Sequence, residues 1–361
     1  MFAILTTLTL VTVCLVVVTV LPMTRITHWF VRDMDFPRFQ IAVVAIVLMV
    51  AQSVVLDAHH PLRWLLAGVT LICLAVQLWW ILPYTRLWKK EVKTASESDP
   101  SQQLTILTSN VLTPNRNAEA LIDLVHTHKP DIVVTLESDQ WWQDQLAVLE
   151  TELAYSVKCP LDNLYGMHLY SRLPFDEEEV AFLVEDDVPS IHLRLQLRTG
   201  DNVRMHFIHP APPSPTENTS SSERDSELVI VAKSVAETTE PVVVTGDLND
   251  VAWSATTRLF RKISGLLDPR IGRGMFNTFH ADYFFLRWPL DHLFHSDHFT
   301  LKSIQRLPSI GSDHFPLLTT LVFAPINGAD QVGLACEADD KALAQAIADD
   351  QQVEKHDVPL H

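Results

Sequence analysis

Val242-Val243-Val244-Thr245-Gly246-Asp247-Leu248-Asn249 is the stretch that decides the fold of this chain. Four β-branched residues in a row are typical of a buried β-strand, and the Gly-Asp-Leu-Asn that follows ends it. An acid and an amide therefore stand at the carboxyl end of a strand, where open α/β proteins place their chemistry. Residues two apart on an extended segment share a face, so we expect both side chains to act together. An Asx-turn that merely closes the strand is the structural alternative.

Three more polar groups stand beside strand-like runs: Asn110, Glu137 and the pair Asp313-His314. The runs are, in order, Leu104–Thr108, Ile132–Leu136 and Leu317–Val322. Taken together, the four groups predict a single polar site built at the ends of several strands.

The order of predicted elements favours a sandwich over simple strand–helix alternation. Helical spacing is seen in four segments, namely Ala118–His128, Trp141–Leu153, Leu228–Val235 and Ala255–Ile263. The stretch 166–209 holds the strand-like runs Met167–Tyr170, Ile191–Leu197 and Val203–Ile208 with no helix between them. A purely parallel sheet would need a helix between nearly every pair of strands. We therefore predict two packed sheets flanked by helices, a four-layer α/β sandwich.

Three long uncharged runs precede this region: Phe2–Leu21, Ile41–Leu56 and Trp64–Pro83. A bilayer core needs about 20 apolar residues per helix, so the first and third suffice and the second is at the short end. A cleaved signal peptide is the alternative for the first run, but only Met1 precedes it and no small-residue cleavage site follows. We predict three transmembrane helices.

The chain divides into four parts on this reading. Residues 1–85 form the membrane anchor, 86–103 a polar juxtamembrane linker, 104–325 the α/β domain, and 326–361 an acidic tail that we expect to be disordered. The segment Pro210–Ser226, rich in Pro, Ser and Thr, is predicted to be an exposed loop.

Charge and cysteine content disfavour some classes of function and of site. The net charge is −17, from 27 basic and 44 acidic residues, and such a field repels nucleic acid without excluding it. Cys14 and Cys73 lie in apolar runs, and Cys159 and Cys336 show no CxxC spacing. A disulfide framework and a cysteine-ligated zinc site are therefore disfavoured.

The carboxylates suit a hard divalent cation. Mg²⁺, or Mn²⁺, is held by one or two carboxylates, and Glu137 at the end of a buried strand is the candidate ligand. The alternative for Glu137 is an acid that favours the start of the next helix. For Asn110, the alternative is a local hydrogen bond at a strand end.

Histidines supply candidate acid–base groups. His314 is a candidate general base or charge stabiliser, oriented by the carboxylate of Asp291, and His209 ends another strand. With 16 histidines in the chain, chance placement is a serious alternative for each of them. His295 and His298 have metal-like HxxH spacing, but without a cysteine a zinc site there is disfavoured.

The ordered set of motifs from Leu104 to about Phe323 resembles the endonuclease/exonuclease/phosphatase, or DNase I-like, superfamily. The resemblance is carried by Ser109-Asn110-Val111, Pro130-Asp131-Ile132-Val133 with Glu137, Tyr170-Ser171-Arg172-Leu173-Pro174, His209, Gly246-Asp247-Leu248-Asn249, Leu290-Asp291-His292 and Ser312-Asp313-His314. Each motif alone is weak, whereas the ordered set is specific.

The resemblance implies a role for each residue. Glu137 would be the principal metal ligand, with Asn110 and Asp313 nearby. His209 and Asn249 would contact the scissile phosphate, Asp247 would align the nucleophile, and Asp291 would orient His314. One departure concerns Leu112, which stands where abasic-site endonucleases carry an acid. This difference argues against abasic-site chemistry.

Motifs and anchor together resemble a bacterial membrane-bound branch of the family. The expected function is metal-dependent hydrolysis of a phosphomonoester or phosphodiester, with a lipid-linked or small phosphorylated substrate and the lipid bilayer as partner. A membrane-tethered nuclease and a catalytically inactive binding domain are the alternatives.

Basic residues predict the orientation in the bacterial inner membrane. Arg25, Arg32 and Arg38 follow the first run, and the segment from Arg86 to Lys93 follows the third. Three crossings put both flanks on one side, and the positive-inside bias makes that side, with the catalytic domain, cytoplasmic. An extracytoplasmic domain is the alternative, since large domains translocate largely regardless of charge.

Overall fold

A computed structural model describes residues 2–96 and 99–360, with the side chain of Phe2 left aside. Met1, Glu97, Ser98 and His361, which fall within the predicted anchor, linker and tail, lie outside the described residues. The chain begins with helices α1 (Phe2–Val20), α2 (Trp29–Arg32), α3 (Arg38–Val55) and α4 (Pro61–Ile81). With their flanking turns, three of these give segments long and apolar enough to cross a membrane: Ala3–Met23, Arg38–Val55 and Pro61–Tyr84.

Two sheets follow. The first is six-stranded, in the order β10-β11-β1-β2-β4-β3, and only β1 and β2 run parallel among its pairs. Its strands are β1 (Gln103–Asn110), β2 (Ile132–Leu136), β3 (Tyr155–Cys159), β4 (Met167–Ser171), β10 (Phe299–Arg306) and β11 (Leu317–Phe323). The second is five-stranded, in the order β5-β6-β7-β8-β9, with β7 and β8 parallel. Its strands are β5 (Phe175–Ala181), β6 (Ser190–Gln196), β7 (Asn202–Phe207), β8 (Val242–Asp247) and β9 (Asp291–His295).

The sheets pack face to face over an apolar core to which alternate residues of their strands contribute, including Leu104, Ile106, Met205 and Leu293. Full burial of such side chains contributes about 1.5–3 kcal/mol each, which favours this packing. Helices cover the two outer faces: α5 (Ala118–His128) and α6 (Gln140–Leu146) on the first sheet, α7 (Ser222–Val235), α8 (Ala255–Ser264) and α10 (Ala338–Gln351) on the second. A short helix, α9 (Pro325–Gly328), follows β11. The predicted four-layer α/β sandwich is confirmed.

The C-terminal segment is not disordered, contrary to our expectation. Helix α10 packs on α7 and α8, and Ala344 and Ala348 are buried in the apolar layer beneath it. Partly buried Leu343 and Ile347 complete its apolar stripe. Of the acidic residues that suggested disorder, Asp339, Asp349 and Asp350 are exposed, and Asp340 pairs with Lys262 of α8 at 2.8 Å.

Three strands and part of one loop also differ from the sequence prediction. Strand β3 is short and only its central residue is buried, β5 has the polar, largely exposed sequence Phe-Asp-Glu-Glu-Glu-Val-Ala, and only the first three residues of β10 are buried. Within the segment predicted as an exposed loop, Pro210, Ala211 and Pro213 are buried, and α7 already begins at Ser222. Edge strands and buried prolines depend on their neighbours, so local composition does not reveal them.

The N-terminal apolar helices dock directly onto the α/β domain. Trp253 is 2% exposed and donates from Nε1 to the backbone oxygen of Asp35, 2.8 Å away. The hydroxyl of Tyr84, at the end of the third apolar segment, donates to the backbone oxygen of Ala252. One apolar cluster contains side chains of α1, α3 and α4 together with Val251, Trp253 and Leu290 of the domain. These helices therefore fix the position of the segment that follows β8.

Candidate active site

The predicted site residues meet at one end of the two sheets. Asn110 ends β1, and Glu137 follows β2, whose last residue pairs with Asn110. In the second sheet, Asp247 at the end of β8 pairs with Asp291 at the start of β9. The hydroxyls of Thr108 and Thr245, 3.0 Å apart, join β1 to β8 across the sandwich. Polar strand ends from both sheets thus line one region.

Asn110 links the two carboxylates that face it. Its Nδ2 donates to Glu137 Oε1 at 2.7 Å and to Asp247 Oδ2 at 3.3 Å. The other oxygen of Glu137, Oε2, is buried and has no hydrogen-bond partner among the described residues. Glu137 does not start the next helix, because Asp139 is the residue that caps α6. The alternative interpretation, in which Glu137 favours the start of the next helix, is therefore wrong.

His314 lies between two carboxylates. Its Nδ1 is 2.8 Å from Asp291 Oδ2, and its Nε2 is 3.4 Å from Asp247 Oδ2. All three side chains are nearly fully buried. Thr278 Oγ1 accepts a hydrogen bond from the backbone N–H of Asp291 at 3.2 Å, which holds the start of β9 in place. The expected pairing of Asp291 with His314 is present in the geometry.

His209 and Asn249 also lie beside Asp247. His209 Nε2 is 4.0 Å from Asp247 Oδ2, and its Nδ1 is buried without a partner among the described residues. The backbone N–H of Asn249 donates to Asp247 Oδ1 at 2.9 Å, which is the Asx-turn that the sequence left as an alternative. The Asn249 amide donates to the backbone oxygen of Pro210 at 3.0 Å. Asp247 therefore uses one oxygen for the turn and the other for the site.

The backbone around the site adopts unusual conformations. Glu137 and Asn249 have φ values of 56° and 49°, which non-glycine residues seldom adopt. Gly246 has a φ of 151°, and a Cβ there would lie 1.9 Å from the backbone oxygen of Ile208. Such conformations persist where the surroundings fix them, and they concentrate at functional sites. Gly246 is thus required for the close approach of β8 to the end of β7.

Burial and neighbouring charges perturb the acid–base groups. Burial raises the pKa of Glu137 to about 7, although the Asn110 hydrogen bond opposes this shift and the charge of Asp313 adds to it. Burial lowers the pKa of His209 to about 4, so its ring is neutral at pH 7. Burial also acts to lower the pKa of His314, but the carboxylates of Asp291 and Asp247 outweigh it and raise that pKa to about 10. The imidazolium form of His314 is therefore favoured.

Two groups of side chains could hold a cation. Asp247, Asp291 and His314 offer ligand atoms that all lie within 4.8 Å of one another. In this group each ring nitrogen of His314 faces a carboxylate, as expected for an imidazolium. A cation bound by His314 would therefore have to replace one of its ring protons. Glu137 offers a buried carboxylate oxygen without a partner, beside Asn110 and with Asp313 close enough to affect its pKa. The Glu137 group fits a hard divalent ion better, since the ion would satisfy that oxygen.

The sequence did not reveal several residues that support the site. Arg224 is 1% exposed, and its Nη1 donates to the backbone oxygen of Asn249 at 2.8 Å. It also pairs with Asp225 at 2.8 Å and with Asp250 at 3.6 Å. The ring centre of Tyr165 lies 5.4 Å from that of His209. Neither position carries a local signal, and Arg224 lies in the segment wrongly predicted as an exposed loop.

Other histidines lie away from the site. His292 turns to the other face of β9, where Nδ1 is 2.7 Å from Arg270 Nη2 and Nε2 is 2.9 Å from the backbone oxygen of Asp250. His295 ends β9, at the opposite end of the strand from Asp291, and His298 Nδ1 is 2.9 Å from Ser296 Oγ. The HxxH pair is not among the clusters of three potential metal ligands that the described residues form.

Comparison with known proteins agrees with this fold. The model of the Endonuclease/Exonuclease/phosphatase family matches residues 107–314. TDP2 from D. rerio, complexed with a single-strand DNA product, is similar with a TM-score of 0.51 and 17% identity, over 61% of this chain and 98% of that chain. The human Nocturnin catalytic domain with bound sulfate has a TM-score of 0.51 and 15% identity, over 63% of this chain and 100% of that chain. The endonuclease/exonuclease/phosphatase from Beutenbergia cavernae DSM 12333 has a TM-score of 0.50 and 17% identity, over 62% of this chain and 72% of that chain. No curated protein matches the sequence.

Proposed function

The chain belongs to the endonuclease/exonuclease/phosphatase family of phosphoester hydrolases, and from this premise we propose that it is a membrane-anchored, Mg²⁺- or Mn²⁺-dependent phosphoesterase. Its substrate is a phosphomonoester or phosphodiester that is lipid-linked or small. The observation that carries the proposal is the pairing of the unsatisfied carboxylate of Glu137 with the His314 cluster, through Asn110 and Asp247.

Each side chain has a part in the proposed reaction. Glu137, with Asn110 and Asp313, would hold the divalent ion, which when bound neutralises charge on the phosphoryl group. Asp247 is placed to orient the attacking water and accept its proton. His314, held as an imidazolium by Asp291, donates a hydrogen bond to a phosphoryl oxygen.

His209 and Asn249 flank the position that the phosphate would occupy beside Asp247. The neutral ring of His209 can donate a hydrogen bond without adding charge. The Asn249 amide keeps one N–H after its bond to Pro210, and Arg224 holds its backbone in place. These two residues are proposed to contact the scissile phosphate rather than to transfer protons.

Anchor and charge favour a lipid-linked or small substrate. Three apolar helices long enough to span a bilayer would hold the domain at its surface, and a net charge of −17 opposes the approach of polyanionic nucleic acid. A membrane-tethered nuclease is the second candidate, because a protein with the same fold was crystallised with a single-strand DNA product. That likeness concerns the fold alone.

Replacement of Glu137 by Gln tests the metal assignment. The amide is nearly isosteric but neutral, so we expect turnover of bis-p-nitrophenyl phosphate to fall about 10³-fold or more at saturating Mg²⁺. Isothermal titration of Mg²⁺ should show weaker binding as well. Glu178→Gln, on the exposed edge strand β5, is the matched control. If Glu137→Gln retains more than about a tenth of the wild-type rate, the assignment fails.

Orientation in the membrane needs its own test. We propose a bacterial inner-membrane protein with a cytoplasmic catalytic domain. Of the basic residues used for this prediction, Arg32 and Arg38 are buried and bind backbone oxygens or Asp35 instead of facing solvent. Alkaline phosphatase fused to the C terminus is active only in the periplasm. Strong activity in intact cells would reverse the orientation and favour an envelope substrate.

A further inference from the structure

An exposed apolar loop stands beside the site. Tyr283, Phe284, Phe285 and Leu286 have exposed fractions of 51%, 80%, 58% and 36%. We call this segment the aromatic loop. Soluble domains seldom present four consecutive large apolar side chains to water, and such patches mark a contact with a membrane or another macromolecule.

The aromatic loop is joined to the His314 segment. The backbone N–H of Ala281 donates to the backbone oxygen of Asp313 at 2.6 Å, and that of Phe315 donates to Thr278 at 2.9 Å. The ring centre of Phe279 lies 4.9 Å from that of His314. A few residues of chain therefore separate the exposed aromatic side chains from the proposed phosphate position.

The other side of the loop touches the membrane anchor. Gln40, in the first turn of α3, donates from Nε2 to the backbone oxygen of Phe285 at 2.8 Å. Phe36, just before α3, packs edge-on against Trp288, with ring centres 5.6 Å apart. Phe39, beside Gln40 in the apolar segment Arg38–Val55, is 52% exposed. The apolar surface of α3 and the aromatic loop are thus continuous.

A fixed positive charge lies at the base of the loop. Arg287 Nη2 donates to the backbone oxygen of Ala281 at 2.8 Å, and its guanidinium lies 4.9 Å from the centre of the Phe315 ring. A basic group at this height attracts anionic head groups. Aromatic side chains with an adjacent arginine are the composition found where proteins meet the bilayer interface.

We propose that the aromatic loop inserts into the bilayer interface and that the enzyme takes its phosphoester from a lipid embedded in the same membrane. This inference rests on the proposed hydrolase function and narrows its substrate to a lipid of the same membrane. The acyl chains stay in the bilayer beside α3 and the loop, while the head-group phosphate reaches His314. The lipid bilayer is the occupant because the loop continues the surface of a membrane-spanning segment.

Insertion can be measured without activity. In a cysteine-free background of the full chain in phosphatidylcholine nanodiscs, an NBD label at Phe284→Cys should show blue-shifted emission and quenching by lipids with doxyl-labelled acyl chains. The control label is at Tyr155→Cys, which is 41% exposed near the amino end of β2, the end opposite Glu137. It should show neither effect. A water-like, unquenched label at residue 284 would overturn the proposal, and would leave a protein partner as the occupant of the loop.

Activity separates lipid from soluble substrates. The double variant Phe284→Ser with Phe285→Ser should hydrolyse phosphatidylglycerol or phosphatidic acid in those nanodiscs at least about tenfold more slowly, since the lost apolar contact with lipid is large. Its rate on soluble bis-p-nitrophenyl phosphate should stay unchanged, and Tyr155→Ser should match the wild type on both substrates. Equal losses on both substrates would refute the role of the loop in lipid capture. If the wild type hydrolyses neither substrate, the proposed function fails, whereas the NBD measurement still decides insertion.

Discussion

Asp291→Asn is the variant that most directly probes how His314 works. The Asp291 carboxylate is 2.8 Å from His314 Nδ1 and is the strongest of the charges that raise its pKa. Asn has the same size, and the threonine that holds the start of β9 binds only the backbone of residue 291. The substitution therefore removes the charge and leaves the fold intact.

The size of the effect follows from the bond that changes. Hydrogen bonds to charged groups contribute about 1.5–3 kcal/mol and neutral ones about 0.5–1.5 kcal/mol, so loss of the carboxylate charge weakens the bond to the imidazolium by about 1.2 kcal/mol, the difference between the midpoints. This loss corresponds to about tenfold in rate and about one unit in the pKa of His314. Because the folded-state pKa falls, the active imidazolium is lost at lower pH, and the alkaline limb of the pH–rate profile moves to lower pH.

The assay is hydrolysis of bis-p-nitrophenyl phosphate by the full chain, with saturating Mg²⁺, across neutral and alkaline pH. Circular dichroism melting checks that the variant is folded. His314→Ala should lose about 10²-fold or more, whereas His298→Ala should keep the wild-type rate because His298 lies at the far end of β9. An alkaline limb that does not move in Asp291→Asn would refute the imidazolium role. Equal losses at His298 and His314 would point instead to a histidine-rich metal site.

Three further predictions concern stability, each read from thermal unfolding in nanodiscs. Trp253→Phe removes the hydrogen bond to Asp35 and replaces the indole with a smaller aromatic ring. It should therefore lower the stability of the contact between the N-terminal helices and the domain by about 1–3 kcal/mol, and an unchanged melting temperature would contradict the docking. Ala344→Asp places a charge in the buried layer beneath α10 and should lower the melting temperature markedly, whereas Ala346→Asp on the exposed face should not. Equal melting temperatures of the two variants would mean that α10 is not docked. His168 is buried, neither of its ring nitrogens is hydrogen-bonded among the described residues, and burial lowers its pKa to about 4. As the pH falls from about 6.5 towards 4, this histidine is therefore protonated in the unfolded chain but stays neutral in the folded chain, which favours unfolding. His168→Leu should therefore gain stability relative to the wild type as pH falls through that window, by up to about 1.4 kcal/mol per pH unit, and a difference that is constant with pH would refute the burial argument.

The central elements could be predicted from the sequence because their signals are local. Strand β8 is a run of β-branched residues followed by Gly246-Asp247, and β1 and β2 end in the same manner with Asn110 and Glu137. Apolar residues in such runs report burial directly, and the polar residue behind each run reports a strand end. The long uncharged runs that became α1, α3 and α4 carry an equally local signal.

Contacts between distant parts of the chain were decided only by the tertiary structure. Arg224 reaches Asn249, and Gln40 reaches the aromatic loop 245 residues away, because sheet order and anchor docking bring them together. The local sequence around Arg224 or Gln40 does not predict either contact. The same holds for α10, whose acidic sequence forms a packed helix only because α7 and α8 offer an apolar surface. Local propensity fixes what a segment can become, whereas the burial of its apolar face against partners far along the chain decides what it is.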